Sequence, residues 1–160
     1  MPLRVTFPYR KPDLRHAIRI PLNKGDDMKL EMDLLRDLLI YVEEEAKEPI
    51  SDLQDIKIGD WTESDIAYHV ILAEEGGAIK AIIDYLPNPE NPDVPDVAYS
   101  IQRLTFNGHE LLGSIREPKH WKAIKSGAKS AGVATVGALG TYAQAYMKLQ
   151  ISKYLGVELS

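Results

Sequence analysis

The chain has 160 residues, enough for one domain of ordinary size with a sizeable core. Hydrophobic residues make up 44% of it and charged residues 27%, which excludes an intrinsically disordered chain. The absence of cysteine excludes disulfides, thiolate catalysis and cysteine-ligated zinc. No apolar signal segment is present, and prolines at positions 2, 8, 12 and 21 interrupt the N-terminus, so we expect a cytoplasmic protein.

The net charge of −5 is distributed unevenly along the chain. Residues 1–29 carry +4 and residues 101–160 carry +5, whereas residues 30–47 carry −4 and residues 48–100 carry −10. An acidic centre therefore lies between two basic ends, and this asymmetry bears on what each part can bind.

The first part of the chain, residues 1–27, is predicted to be a basic arm that precedes one domain over residues 28–160. Within the arm, residues 3–7 and 15–20 alternate polar and apolar side chains between prolines, which is typical of short edge strands. Leucines at helical spacing then predict a first helix over residues 31–47.

The middle of the chain predicts a helix followed by a hairpin. Thr62 and Asp65 form a capping-box pair, T-x-x-D, at the start of a helix that stops at two consecutive glycines. The preceding segment DIKIGDW is a candidate short strand. The β-rich runs at residues 78–86 and 97–104 flank a loop with four prolines, which cannot join a ladder, and so predict a long hairpin.

Three helices are predicted after the hairpin. Thr105 is the expected N-cap of a helix over residues 106–116, and Pro118 suits the first turn of a helix over residues 118–130. A last helix over residues 133–155 is expected to end at a glycine. This order predicts an α+β fold with a winged-helix-like core, in which helices pack on a two-stranded hairpin, followed by C-terminal helices.

Four segments carry a family resemblance: MKLEMDLLRDLLIYVEE, IAYHVILAEEGGAI, RLTFNGHELLGSIREPKHWKAIK and LGTYAQAYMKLQISKYLG. They resemble an uncharacterised family of small bacterial and phage proteins, a domain of unknown function, over about residues 28–156. The most specific part is LT-x-x-GHE-x-L-x-x-IR-x-x-x-x-W, which begins at Leu104. The resemblance implies a winged-helix-like fold and brings no established activity or functional residue.

The Gly-His-Glu triplet at residues 108–110 raises the question of catalysis. A zinc-protease motif, His-Glu-x-x-His, needs a second histidine where this chain has Gly113. Other metal sites would need His69, His109 and His120 to converge, which their spacing does not require. We predict no metal, no cofactor and no enzymatic activity. Gly108 is expected to let a helix start lie close to the sheet, with His109 and Glu110 hydrogen-bonded at that corner.

The helix before the hairpin and the hairpin loop form a candidate acidic surface. They carry no lysine or arginine, and their carboxylates are Glu63, Asp65, Glu74, Glu75, Glu90 and Asp93, with Asp96 at the loop's end. DNA binding depends on cations that neutralise phosphates, and base reading favours Arg, Lys, Asn and Gln. Reading of the DNA major groove by this surface is therefore disfavoured.

A candidate basic face follows the hairpin. Five cations fall within about half the circumference of one helix: Arg116, Lys119, Lys122, Lys125 and Lys129. Apolar Trp121, Ile124, Ala128 and Ala131 occupy the opposite arc. The cations could be solvated, bind an acidic protein surface, or bind nucleic acid together with the arm's Arg4, Arg10, Lys11, Arg15 and Arg19, and these alternatives stay open.

The last helix contains a long uncharged segment, residues 130–147. It is rich in alanine and glycine and includes polar side chains, which argues against a membrane span. Small residues permit close helix packing, and the candidate self-association residues are Gly137, Gly140, Ala143 and Met147. The neighbour would be the domain's own first helix or a second copy.

Together these features predict a non-enzymatic, winged-helix-like interaction module of bacterial or phage origin that binds a protein partner and self-associates. The alternative is a prophage-type DNA-binding transcriptional regulator that uses the arm and the basic helix at residues 116–129. No membrane partner is expected.

Overall fold

The computed structural model describes residues 13–14, 17–22 and 29–156. The predicted arm strand at residues 3–7 lies outside them. The fold is α+β, and the described part contains these elements in chain order: β1 (Ile20–Pro21), α1 (Met32–Glu45), α2 (Glu63–Glu75), β2 (Ile79–Leu86), β3 (Asp96–Leu104), α3 (Phe106–Ile115), α4 (Pro118–Ser130) and α5 (Val136–Leu155).

The sheet is antiparallel, with strand order β1-β3-β2. The predicted hairpin pairs β2 with β3 from Ile79↔Leu104 to Leu86↔Asp96. β1 pairs with the other edge of β3 through Ile20, which is buried, so the end of the predicted arm is part of the sheet.

The segment DIKIGDW is not a strand, contrary to the sequence prediction. Ile56 and Ile58 are buried in the core, and the isolated bridge to β3, Leu53↔Ile101, lies upstream of the segment. Two isoleucines two residues apart, with polar residues between and around them, give the alternating pattern of a half-buried strand. Here the same pattern comes from an irregular segment that buries both isoleucines.

Local sequence signals set the ends of the helices. α2 begins with a complete capping box between Thr62 and Asp65, and α4 begins with Pro118 in its first turn. α5 ends at Gly156 in the left-handed conformation, with φ of 67°. It begins three residues later than predicted because Thr135 is extended and its side chain accepts a hydrogen bond from the Ala138 N–H at 3.1 Å.

The core forms where α1 and α2 meet the sheet. α1 buries one face, composed of Met32, Leu34, Leu35, Leu38, Leu39 and Val42. α2 is buried on several sides, since seven of its thirteen residues are buried. α3 packs on α1, on α4 and on α5, so the C-terminal helices form a second layer on the α1 side.

Gly108 marks the closest approach between α3 and the sheet. A Cβ at this position would overlap the Ala78 carbonyl oxygen and lie 2.9 Å from its carbon. The same carbonyl oxygen accepts the Thr105 N–H at 3.0 Å. The prediction that Gly108 lets a helix start lie against the sheet is therefore confirmed.

Among the helices of the described residues, none is both long enough and apolar enough to cross a membrane.

Candidate interaction surfaces

α4 is amphipathic, as predicted, with Trp121, Ile124 and Ala128 buried against the domain. The five predicted cations do not form one free face. Arg116 is not on α4: it is the C-cap of α3, and its guanidinium forms an ion pair with Glu43 of α1. The sequence suggested one continuous basic helix because the break before Pro118 does not change the angular spacing of the side chains.

Lys125 is also engaged within the domain. Its Nζ lies 3.0 Å and 3.1 Å from the two carboxylate oxygens of Asp33 in α1, and Trp121 Nε1 donates to the same carboxylate at 2.8 Å. Burial raises the pKa of Asp33, but the hydrogen bonds from Lys125 and Trp121 and the nearby positive charges lower it below its ordinary value. The ionised carboxylate therefore joins α1 to α4.

Arg36 completes this junction of α1, α3 and α4. Its Nε donates to the Ile115 carbonyl oxygen at 2.8 Å, its Nη2 donates to the Arg116 carbonyl oxygen, and its guanidinium lies 5.9 Å from the centre of the Trp121 ring. These bonds satisfy carbonyls at the end of α3 that have no partner within the helix. The IR-x-x-x-x-W part of the family-like block thus lies at a structural junction.

The remaining cations of α4 are Lys119, Lys122 and Lys129, and all three are exposed. No ion pair involves them among the residues that the structure describes. From the arm, Arg19 lies 4.0 Å from Asp96, and the arm's other four predicted cations lie outside the described residues.

The six predicted acidic residues do not form one cluster. At the start of α2, Glu63 pairs with Lys57 at 3.6 Å, and Asp65 serves the capping box. Glu74 and Glu75 lie at the other end of α2, roughly 18 Å away at 1.5 Å per helical residue. They line a shallow groove with β2, whose exposed Tyr85 forms part of the opposite wall.

The other two acidic residues, Glu90 and Asp93, are exposed in the hairpin loop. Asn88 organises this loop: its side-chain oxygen accepts the Glu90 N–H at 2.9 Å and the Asn91 N–H at 3.1 Å, and its amide donates to Asp96 at 3.1 Å. The loop is thus held by its own side chains.

His109 and Glu110 project into solvent from α3. The prediction that their side chains hydrogen-bond at the corner is wrong for the described residues, since Thr105 makes those bonds instead. Its hydroxyl donates to the Gly77 carbonyl oxygen and accepts the Gly108 N–H at 2.9 Å. No group of three His, Asp or Glu side chains within the described part could hold a metal ion.

His69, by contrast, has a role that the sequence did not reveal. It is 1% exposed, its Nδ1 lies 2.8 Å from the Asp65 carbonyl oxygen, and its Nε2 lies 2.8 Å from the Glu31 backbone nitrogen. Nδ1 must therefore carry the proton, and Nε2 accepts the N–H at the start of α1. Burial lowers the pKa of His69, which favours the neutral ring that this arrangement requires.

The four predicted self-association residues of α5 fall on different surfaces. Ala143 is fully buried in its own chain, so it is not available to a second copy. Met147 is half-buried, and a Cβ added at Gly137 or Gly140 would meet no atom within 4 Å. α5 packs on α3 and α4, and the two glycines face open space.

The two glycines line a groove beside α5. Its opposite wall is formed by Gly76 and Ala78, at the corner between α2 and β2, and by Asn107 and Leu111 of α3. The groove is closed beneath by direct packing, since a Cβ on Gly76 would lie only 2.7 Å from the Val136 Cβ. We call this depression the glycine groove.

The C-terminal half of α5 has the opposite character. Its exposed apolar side chains are Leu149 (53%), Ile151 (44%), Tyr154 (91%) and Leu155 (58%). The last fully buried residue of the helix is Ala143. Ile151, Tyr154 and Leu155 fall within about 100° around the helix at 100° per residue, so the end of α5 presents an apolar surface that its own domain leaves uncovered.

Comparisons with known proteins agree with the family resemblance for its first three segments, whereas the fourth, LGTYAQAYMKLQISKYLG, lies beyond the residues that the family matches. The family described as hypothetical protein (DUF2513) matches residues 29–134, which includes α1 to α4 and ends before α5. An uncharacterized protein of Haemophilus influenzae is 33% identical over 103 residues, which cover 64% of this chain and 80% of that protein. No solved structure matches the chain. The chain belongs to the DUF2513 family, a family of unknown function.

Proposed function

We propose that the chain is a non-enzymatic interaction module of bacterial or phage origin, winged-helix-like in its α2–hairpin unit, that binds a protein partner and self-associates. The observation that carries the proposal is the apolar end of α5, where Tyr154 is 91% exposed. Burial of apolar surface contributes about 25 cal/mol per Å², and exposed contiguous apolar patches mark interaction sites.

The surroundings of α2 support protein recognition over base reading. The helix is buried on several sides, and its exposed side chains, Glu63 and Glu75, lie at its two ends and are acidic. A helix that reads DNA needs an exposed face with cationic or amide side chains. α2 offers neither, so in this proposal it organises the core.

The outer surface of α4 suits an acidic partner. Lys119, Lys122 and Lys129 fall within about 80° around the helix at 100° per residue, and they span roughly 15 Å. Trp121 and Lys125, on the inner side, hold α4 against α1 and keep this row of cations in place. A fixed row of three ammonium groups complements carboxylates on a protein surface.

DNA binding is the second candidate function, and the same three exposed lysines favour it. Phosphates would be neutralised by these lysines and by the basic N-terminal arm. The two candidates differ in salt dependence and in the target, because counterion release makes duplex binding fall steeply as salt rises.

Two measurements test the proposed function: the mass of the protein in solution and its binding to duplex DNA. Light scattering across a concentration series should show a mass above that of one 17.9-kDa chain, and Tyr154→Ser should lower it. Random duplex DNA should not shift in a gel at moderate salt. A salt-sensitive shift that disappears in a variant with Lys119, Lys122 and Lys129 changed to Glu, but persists with Lys47 and Lys80 changed to Glu, would establish the DNA candidate instead.

A further inference from the structure

One face of α5 carries residues at alternating three- and four-residue spacing along the whole helix. They are Gly137, Gly140, Gln144, Met147, Ile151 and Tyr154. This is the spacing of the a and d positions along a helix that pairs with another helix. The first two positions are glycines, and the last two are large and exposed.

The two ends of this face have opposite shapes. At its start, the glycine groove provides open space beside Gly137 and Gly140. At its end, Ile151, Tyr154 and Leu155 project from a helix whose last fully buried residue is Ala143. One end of the face therefore borders an unoccupied groove, and the other end exposes large apolar side chains to solvent.

We propose that two copies of the chain pair through antiparallel α5 helices, so that the apolar end of each helix fills the glycine groove of the other. This inference rests on the self-association proposed above and specifies its geometry. Gly137 lies opposite Tyr154 of the second copy, Gly140 opposite Ile151, and Gln144 opposite Met147. The three pairings share one two-fold axis between residues 145 and 146, as an isologous dimer requires.

A parallel pair would fit less well. It would place Tyr154 against Tyr154 and Ile151 against Ile151, while the glycines of both copies would face each other across a gap. Interfaces of stable complexes pack about as densely as protein interiors. A parallel pair is therefore disfavoured, because its large side chains would crowd at one end and its glycines would leave a gap at the other.

The area that would be covered is that of a stable complex. Tyr154, Ile151 and Leu155 contribute roughly 400 Å² per copy, if a buried tyrosine accounts for about 150–200 Å², and the surface that receives them, the glycine groove together with the adjoining face of α5, contributes a similar area. Two such contacts bury about 1,600 Å² in total, the size of a standard specific interface.

Disulfide trapping tests the register, because the native chain has no cysteine. The double variant Gly140→Cys/Ile151→Cys should form a covalent dimer under mild oxidation, since these positions face each other across the antiparallel pair. Ile151→Cys alone should not, because the two copies of residue 151 would be roughly 16 Å apart along the axis at 1.5 Å per residue. Melting curves of both reduced variants confirm that they fold.

The outcomes separate this inference from the proposed function. A dimer by light scattering that crosslinks through Ile151→Cys alone as readily as through the double variant, or through neither, overturns the antiparallel pairing and leaves self-association intact. If the protein is a monomer at every concentration, both the self-association and the antiparallel pairing are wrong.

Substitution at the two ends of the face supplies an independent readout if the cysteine variants fail to fold, because Tyr154 is 91% exposed and a Cβ at Gly137 would meet no atom of its own chain within 4 Å. Tyr154→Ser removes the side chain that fills the groove, and Gly137→Leu occupies the space opposite it, so each should shift the protein towards the monomer in light scattering. If either variant keeps the wild-type mass, the proposed pairing is wrong.

Discussion

Replacement of Gly108 by alanine is the sharpest test of how α3 is attached to the sheet. The new Cβ would overlap the Ala78 carbonyl oxygen and lie 2.9 Å and 3.3 Å from its carbonyl carbon and Cα, all of them backbone atoms. No side-chain rotation can relieve the overlap, so α3 must move away from the strand. That movement stretches the 3.0 Å hydrogen bond from the Thr105 N–H to the same oxygen.

The expected magnitude follows from three contributions. Overpacking costs about 1–3 kcal/mol, and the loss of a hydrogen bond costs about 1 kcal/mol. The better helix propensity of alanine returns about 1 kcal/mol. Gly108→Ala should therefore lower the free energy of unfolding by about 2 kcal/mol.

Gly113→Ala is the matched control, because Gly113 lies on the same helix with nothing near its added Cβ. It should raise the free energy of unfolding by up to about 1 kcal/mol. A domain of this size shifts its Tm by about 2–4 °C per kcal/mol, so the two variants should differ by roughly 6–12 °C in thermal unfolding monitored by circular dichroism. If Gly108→Ala melts at or above the wild type, the contact with Ala78 does not hold α3 in place.

Three further predictions follow from the same structure. His69 has a pKa lowered below its ordinary 6.5, so the unfolded chain binds a proton at a higher pH than the folded chain, and stability should fall as pH drops below 6.5. In melting experiments below pH 6.5, the stability of His69→Gln should therefore depend less on pH than that of the wild type. If the two proteins show the same pH dependence, other groups are responsible for it. His109→Ala should change the free energy of unfolding by less than about 0.5 kcal/mol in denaturant titrations, because the side chain is exposed, and a loss of several times that would contradict its placement. Gly140→Leu should leave the fold of the monomer intact, since its side chain enters open space, but should lower the average mass measured by light scattering because it occupies the groove. Gly140→Ala should have a smaller effect, and an unchanged mass for Gly140→Leu would argue against the groove as the interface.

Helix ends were largely predictable because their signals are local. The bonds that begin α2 and α3 are made by Thr62, Asp65 and Thr105, side chains within three residues of the groups that they cap. Pro118 and Gly156 act through their own backbone angles. The start of α5 was placed too early because the cap at Thr135 competes with helical periodicity that extends beyond it.

The candidate site residues were less predictable because charge pairing is not local. Angular spacing placed Arg116 and Lys125 on a basic face, but the carboxylates that pair with them, on Glu43 and Asp33, come from α1, more than seventy residues away. The angular position of a side chain shows which side of its own helix it lies on. It does not show which other element packs against that side or supplies a charge partner.

The sequence by itself determined the order of the five helices and the hairpin, the α+β class and the family, because each depends on periodicity, local caps and turns, or on matched motifs. The tertiary structure decided which of these surfaces remain available. It buried Ala143, opened space beside Gly137 and Gly140, and enclosed His69 against the start of α1. These outcomes depend on how distant segments pack, and close packing between such segments is decided only when the whole chain has folded.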